Sequence, residues 1–334
     1  MNNFYIKQSP LTGMVGYGGG ATGITIGGAG GPKIWYGDRG MFCGGLNDNG
    51  DRQSDMNYVD VTSTGNASDF GNLRSQKCQL AGAGGGGRGM VFGGERGPYK
   101  DEIDYWAFST LGNASDFGNL SADIAWGAAC SNGTTAYYFG GKDDDKRNEI
   151  EKVTIATTGN ATAFSGLLQA AEAQMGACAD ASRGVKCGGA SSPYGEMDYV
   201  TFDNEGNAVD FGNLTQRKHL LSACSNETIG LIVGGWNNDY GDNGARSDVD
   251  KITIQTTANA SSFSSFSGNR WECAASNGNE SRGLGAGGKS GSNNQNSTVE
   301  DGIYYWGYAS GGGSGDFGDL QEAVHETPTG MSGD

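Results

Sequence analysis

Proline is scarce in this 334-residue chain, at five residues, and histidine scarcer, at two, while 22 basic side chains stand against 38 acidic ones. The resulting formal charge of −16 repels phosphate backbones and anionic lipid surfaces, so no nucleic-acid partner is expected. No apolar run approaches the roughly eighteen residues that cross a bilayer as a helix, so membrane insertion is not expected. Met1-Asn2-Asn3-Phe4-Tyr5-Ile6-Lys7 lacks the basic and apolar regions of a secretion signal, which implies synthesis in a cytoplasm without a secretory address. Neither His219 nor His325 lies near an H-E-x-x-H or G-x-S-x-G phrase. Nucleophilic or metal-assisted catalysis therefore has no visible constellation, and a protein that is not an enzyme is expected. His219, in Arg217-Lys218-His219, reads as a solvated strand start. The seven cysteines form no CxxC pair, and Cys130, Cys178 and Cys224 fall inside apolar stretches, which marks them as buried free thiols.

Glycine is abundant instead, at 62 residues without a Gly-X-Y period, which excludes a collagen-like rod. A Gly-Gly pair after a short apolar run recurs as Met41-Phe42-Cys43-Gly44-Gly45, Val91-Phe92-Gly93-Gly94, Tyr138-Phe139-Gly140-Gly141, Val185-Lys186-Cys187-Gly188-Gly189, Ile232-Val233-Gly234-Gly235 and Leu284-Gly285-Ala286-Gly287-Gly288. From Gly44 to Gly287 is 243 residues in five steps. A period of about 49 is that of a propeller blade, so the sequence predicts an all-β chain in which each unit buries its face against the next.

One repeat shows the internal order. Ile124 to Cys130 is an apolar strand, Ser131-Asn132-Gly133 its turn, and Tyr137 to Gly141 the next strand. Ile150 to Ile155 alternates apolar and polar residues as a half-exposed strand does, and a last strand carries Phe164. Phe70, Phe117, Phe164, Phe211, Phe263 and Phe317 hold this last place, 47, 47, 47, 52 and 54 residues apart, and are expected in the core between units.

The Gly-Gly pairs, the polar loops after them and third strands such as Asp104-Tyr105-Trp106 and Asp198-Tyr199-Val200 resemble the kelch repeat, with phenylalanine in place of the usual fourth-strand tryptophan. The phrase Gly-Asn-Ala-Ser-Asp-Phe-Gly-Asn-Leu at 65–73 and again at 112–120 is similar to repeats in virion proteins of tailed, marine-type bacteriophages. That resemblance covers about residues 37–334. It implies a virion component, present in multiple copies per particle.

Residues 323–334 stand where earlier repeats begin a first strand, and the strand at Arg39 to Gly45 has no such strand before it. The C-terminal strand is therefore expected to complete the first unit of a six-bladed propeller spanning 36–334. Residues 1–35 form a Gly-rich N-terminal arm whose apolar side chains Phe4, Tyr5, Ile6, Leu11, Met14, Val15 and Ile24 are expected to order on docking against other virion proteins. No GK[ST] follows its glycines, which excludes a phosphate-binding loop.

The loops between second and third strands vary from repeat to repeat, while the other turns repeat closely, and varied loops on a fixed scaffold are where recognition sits. Trp236, Asn237, Asn238, Asp239 and Tyr240, with Tyr99, Tyr194 and the run Asp143, Asp144 and Asp145, form the expected ligand-binding face. Rings beside amides and carboxylates are the groups that stack on and hydrogen-bond to sugars. No cofactor is expected; the Asn47 to Asp51 and Asp143 to Asp145 clusters could hold a hard cation such as calcium, without the spacing or distal glutamate of an EF-hand, and the alternative is solvated polar loops. The function expected is that of a tail-associated adhesin contacting a host surface glycan or protein. The alternative is a purely structural tail nozzle, tip or capsid decoration protein.

Overall fold

The computed structural model describes residues 35–171, 175–189, 195–237, 239, 244–291, 296–326 and 329–333, all within the compact unit Lys33–Asp334. The fold is all-β and built of small antiparallel sheets. Among the described residues no helix is long and apolar enough to cross a membrane.

Sheet two consists of Ala81–Gly85, Arg88–Phe92, Glu102–Ala107 and Ser115–Asn119, with hydrogen-bonding order the same as chain order. Sheets three (Ala128–Ser131 to Thr162–Ala171), four (Gly176–Ala179 to Val209–Asn213), five (Ser222–Ser225 to Ser261–Ser265) and six (Ala274–Ser276 to Gly315–Asp319) repeat that order. Sheet one is made from both ends of the unit. Thr329–Gly333 pairs antiparallel with Arg39–Cys43, placing Met331 opposite Met41, and Asp55–Asp60 and Ser68–Asn72 follow.

Second strands such as Arg88–Phe92 are buried from their second residue onward, which is why they read as continuous apolar runs. The Gly-Gly pair ends them for a steric reason. Gly94 has φ +106°, and a Cβ there would stand 2.4 Å from Leu80 Cδ2, while one on Gly93 would stand 2.3 Å from the Ile124 carbonyl oxygen. The chain turns directly beneath the connections on either side, and only glycine fits.

Each core cluster lies between two sheets. Met41, Phe70, Leu80 and Trp106 join sheets one and two; Phe92, Phe117, Tyr138 and Ile155 join two and three; Phe42, Val59, Leu284 and Phe317 join six and one. Phe70, Phe117, Phe164, Phe211 and Phe317 are buried as expected. Phe263 is not. In sheet five the buried ring is Phe266, which stands where the other repeats place Leu73, Leu120, Leu214 or Leu320 and packs edge-on to Trp306 at 4.7 Å; the larger residue fills the junction and leaves Phe263 half-buried. All seven cysteines are free and buried.

The outer strands are clasped by the repeated phrase. Gly112 N–H donates to Phe70 O and Ala114 N–H to Asn72 O, both at 2.8 Å. The same bonds run from Gly159 and Ala161 to Phe117 and Asn119, and from Gly65 and Ala67 to Phe317 and Asp319. Ala208 bonds to Gly166, Ala260 to Asn213, and Gly312–Gly313 pairs in parallel with Ser264 and Ser265. Every sheet is thus hydrogen-bonded to the next, and the sixth to the first.

Candidate functional site

After five of the Gly-Gly pairs, the first residue bridges to the connection that leads into a first strand. Glu95 pairs with Cys78, Lys142 with Ala125 and Trp236 with His219, Leu46 with His325 and Lys289 with Trp271. Loops between second and third strands therefore share a side of the fold with the connections between sheets.

In those connections Gln79, Trp126, Leu220, Glu272 and Glu326 adopt φ between 53° and 66°, a conformation that side-chain-bearing residues seldom hold. Backbone bonds link them across sheets: Gln79 N–H to Glu326 O at 2.9 Å, Trp126 N–H to Gln79 O at 3.2 Å and Glu272 N–H to Leu220 O at 3.0 Å. These bonds between connections hold the strained residues in place. Just inside, Ala81, Ala128, Ala177, Ala223, Ala275 and Gly330, one from the first strand of each sheet, line a cavity of about 40 Å³. At the other end of the first strands Trp35 borders a second cavity of about 20 Å³. Trp35 was expected at the end of the arm and is buried here; Asn277 Nδ2 donates to its carbonyl at 2.9 Å and Gly37 N–H to Gly278 O at 2.9 Å.

The residues before these strained positions are Cys78, Ala125, His219, Trp271 and His325, four types in five places. Both histidines of the chain stand in this series, 52 residues before and 54 after Trp271. His219 is not a solvated strand start; it is buried, and its N–H and C=O are both hydrogen-bonded to the backbone of Trp236. Burial pushes its imidazole down to about 4, against the pull of Glu272, so it is neutral at neutral pH.

Glu272 is the hub. Its Oε2 lies 3.0 Å from His325 Nδ1 and 3.3 Å from Lys289 Nζ, with about a tenth of the side chain exposed. Burial alone would raise this carboxyl, but the His325 hydrogen bond and the Lys289 charge outweigh it and hold the group below the usual glutamate range. Trp271 packs edge-on to Trp236, with ring centres 5.1 Å apart, and the Trp271 indole N–H, fully buried, has no hydrogen-bond partner among the described residues. A second cluster adjoins at Glu326. Its carboxylate accepts from Gln79 Nε2 at 3.0 Å and lies 3.7 Å from Cys78 Sγ, and Arg52 pairs with Glu95 at 2.5 Å beside it. Burial, reinforced by Glu326 and Glu95, pushes the Cys78 thiol up to about 12, leaving it protonated and inert. The Gln79 Oε1 acceptor is buried without a partner among the described residues. Indoles, carboxylates, imidazoles and an ammonium group thus meet within one rim, most of them buried.

The residues expected to bind fare unequally. Trp236 is half-buried against Trp271, and Asn237 is buried, its Oδ1 accepting the Asp239 N–H at 2.8 Å. Asp239 is exposed and lies 3.9 Å from Arg217. Asp143 caps its own loop, accepting from Asp145 N–H at 2.9 Å and from Arg147, whereas Asp144 and Asp145 are exposed and Tyr99 half-buried. Asn47 is likewise engaged, its Oδ1 accepting from the amides of Asn49 and Asp51. Among the described residues no group of three or more His, Cys, Asp or Glu is arranged to hold a metal ion. Asn238, Tyr240, Tyr194 and the arm residues Phe4, Tyr5, Ile6, Leu11, Met14, Val15 and Ile24 lie outside the described residues. Sequence reasoning missed Glu272, Lys289, Trp271 and His325. The signal was their repeat phase, since His219, Trp271 and His325 follow the same 52- and 54-residue steps as the phenylalanines.

No protein-family model matches this chain, and no curated protein matches it either.

Proposed function

We propose that this chain is a six-bladed, kelch-like β-propeller whose ring is closed by the C-terminal strand, and that it acts as a binding module rather than an enzyme. The sheet-to-sheet bonds that return from sheet six to sheet one support the ring. The observation that carries the function is the contrast between two sets of repeat positions. Those that hold the scaffold together are nearly identical from repeat to repeat, as in Asn66, Asn113 and Asn160, while the series Cys78, Ala125, His219, Trp271 and His325 on the loop side holds four residue types in five places. A scaffold requires the first kind of position, and recognition uses the second.

With the phage-like repeat phrase, the reading is a tail-associated adhesin of a bacteriophage virion. Residues 1–34 mount it on other virion proteins, and the loop side meets a host surface glycan or protein. A structural tail tip or capsid decoration protein is the second reading. It draws on loop groups such as Asp143 and Asn237 that satisfy their own loops and offer little outward. Labelling intact particles with an antibody to residues 236–247 separates the two. Label at the tail extremity supports the adhesin, label over the head supports decoration, and an absence of label from every particle overturns an exposed loop side.

A further inference from the structure

Four second strands begin with an arginine that lies over a tyrosine ring of the third strand: Arg39 over Tyr58, Arg88 over Tyr105, Arg183 over Tyr199 and Arg282 over Tyr305, at 4.5 to 4.9 Å. Three of them also clamp the next sheet. Arg88 Nη1 donates to Ile155 O at 2.9 Å, Arg183 to Ile254 O at 3.5 Å, and Arg39 to Phe108 O. Each thereby fills the space between its own first-to-second turn and the neighbouring sheet.

Sheets three and five lack the pair. Strand register puts Thr135 and Ile229 in the arginine place, opposite Thr154 and Thr253 as Arg183 is opposite Thr201, and Lys152 and Lys251 in the tyrosine place. Grooves open at these two sheets. Beside sheet five the groove measures about 130 Å³ and is bordered by Lys251, Thr253 and Thr256. Beside sheet three, where the replacement is a small hydroxyl, it measures about 610 Å³ and runs from the turn of sheet three to Phe202 and Asp203 of sheet four.

We propose that the groove between sheets three and four binds a neutral oligosaccharide. Its volume lies in the range of small-molecule sites. Its walls are hydroxyls and amides, with Thr134, Thr135, Thr157, Thr162 and Asn160 among them. Its floor is rigid, because Tyr137 stacks on Phe202 at 4.1 Å with the rings 13° apart. Charge at the rim is small, Lys152 being paired with Glu205 and Asp203 standing alongside, and the excess carboxylate disfavours an anion. A peptide is less suited, since it needs an apolar socket, and the groove is lined largely by hydroxyls and amides. The groove lies among the first-to-second and third-to-fourth turns, away from the loop side, so it stands independently of the adhesin reading.

The test is saturation-transfer NMR and titration calorimetry on the full chain with a panel of neutral and N-acetylated tri- and tetrasaccharides. T135R/K152Y restores the Arg–Tyr pair that four other sheets carry, T157W fills the groove from an exposed turn, and W236A alters the loop side. The proposal expects a saccharide bound by the wild type and by W236A with equal affinity, and bound about tenfold more weakly or worse by both groove variants. It is overturned if no saccharide in the panel binds the wild type, or if binding survives T135R/K152Y and T157W. Binding lost only in W236A would overturn the groove while upholding the loop side as a glycan site.

Discussion

Asn113 Oδ1 accepts the backbone N–H of Asn72, 3.0 Å away on the neighbouring sheet. The same bond joins Asn160 to Asn119, Asn259 to Asn213 and Asn66 to Asp319. The phrase that is most conspicuous in the sequence is thus a clasp. Its asparagine caps one sheet's outer strand, and its second glycine makes room for the next sheet's turn.

Breaking the clasp should cost stability in two distinguishable ways. Asn113→Ala removes one partly solvated hydrogen bond and should cost about 1 kcal/mol. Gly118→Ala should cost more, about 1–3 kcal/mol, because Gly118 sits at φ +149° and a Cβ there would stand 2.4 Å from the Gly159 carbonyl oxygen. Urea denaturation of the two variants checks both the direction and the ranking, and equal values would show that the glycine is not sterically required.

Buried lysines tie connections to third strands. Lys218, with its side chain fully buried, lies 2.5 Å from Asp248 and 3.3 Å from Asp250, and Lys77 pairs with Asp104 at 3.1 Å and Glu102 at 3.5 Å. Removing one partner leaves the others buried and uncompensated, so Lys218→Met should destabilise by about 3–5 kcal/mol. Adding Asp250→Asn should recover part of that loss, since the orphaned charge is then gone. A double-mutant cycle by chemical denaturation measures the recovery, and simple additivity would contradict the pairing.

These lysines also mark where the sequence stops being legible. The Gly-Gly period and the phenylalanine spacing reveal the units, and the lack of a first strand before Arg39 reveals the pairing with the C-terminal strand, because both follow from local backbone and hydrophobic pattern. Lys77 and Lys218 carry no local mark of burial; their carboxylate partners lie 25 to 32 residues away along the chain. His219 was misread for the same reason, its polar neighbours Arg217 and Lys218 suggesting solvent when its partners are Trp236 and Glu272. The groove was written as a departure from repeat, Thr135 where arginine was due, and a departure is visible only once strand register aligns the repeats.

Acid should destabilise this protein through His219. Its folded value of about 4 lies below its ordinary 6.5, so between those values the unfolded chain binds more protons and stability falls as pH falls. Each unit is about 1.4 kcal/mol, so the loss is on the order of 3 kcal/mol by pH 4. Glu272, held below the usual glutamate range, adds to the loss at still lower pH. His219→Gln should flatten the profile between pH 6.5 and 4 while leaving the Glu272 effect below it. Parallel wild-type and mutant profiles across that window would assign the acid sensitivity elsewhere.

The C-terminal strand should be indispensable yet replaceable in trans. Thr329–Gly333 supplies the first strand of sheet one through five paired residues, from Cys43–Thr329 to Arg39–Gly333. Met331 joins the cluster of Met41, Phe70 and Trp106, Ser332 Oγ donates to Gly278 O at 2.6 Å and Ser276 Oγ to Met331 O at 2.7 Å. Deleting residues 327–334 removes these contacts at once. It leaves Arg39–Cys43 with an open edge and the Met41 cluster uncovered, and such an edge recruits other strands. The truncated chain should unfold well below the full-length protein and associate in a concentration-dependent way. A synthetic peptide of residues 323–334 added in excess should restore the melting temperature as a ligand does, because it binds the folded chain and not the unfolded one. A scrambled peptide of the same composition should restore nothing. Thermal melts against peptide concentration decide the matter: a rise that saturates supports strand completion, and full stability of the truncated chain without peptide would mean that sheet one does not need its terminal strand.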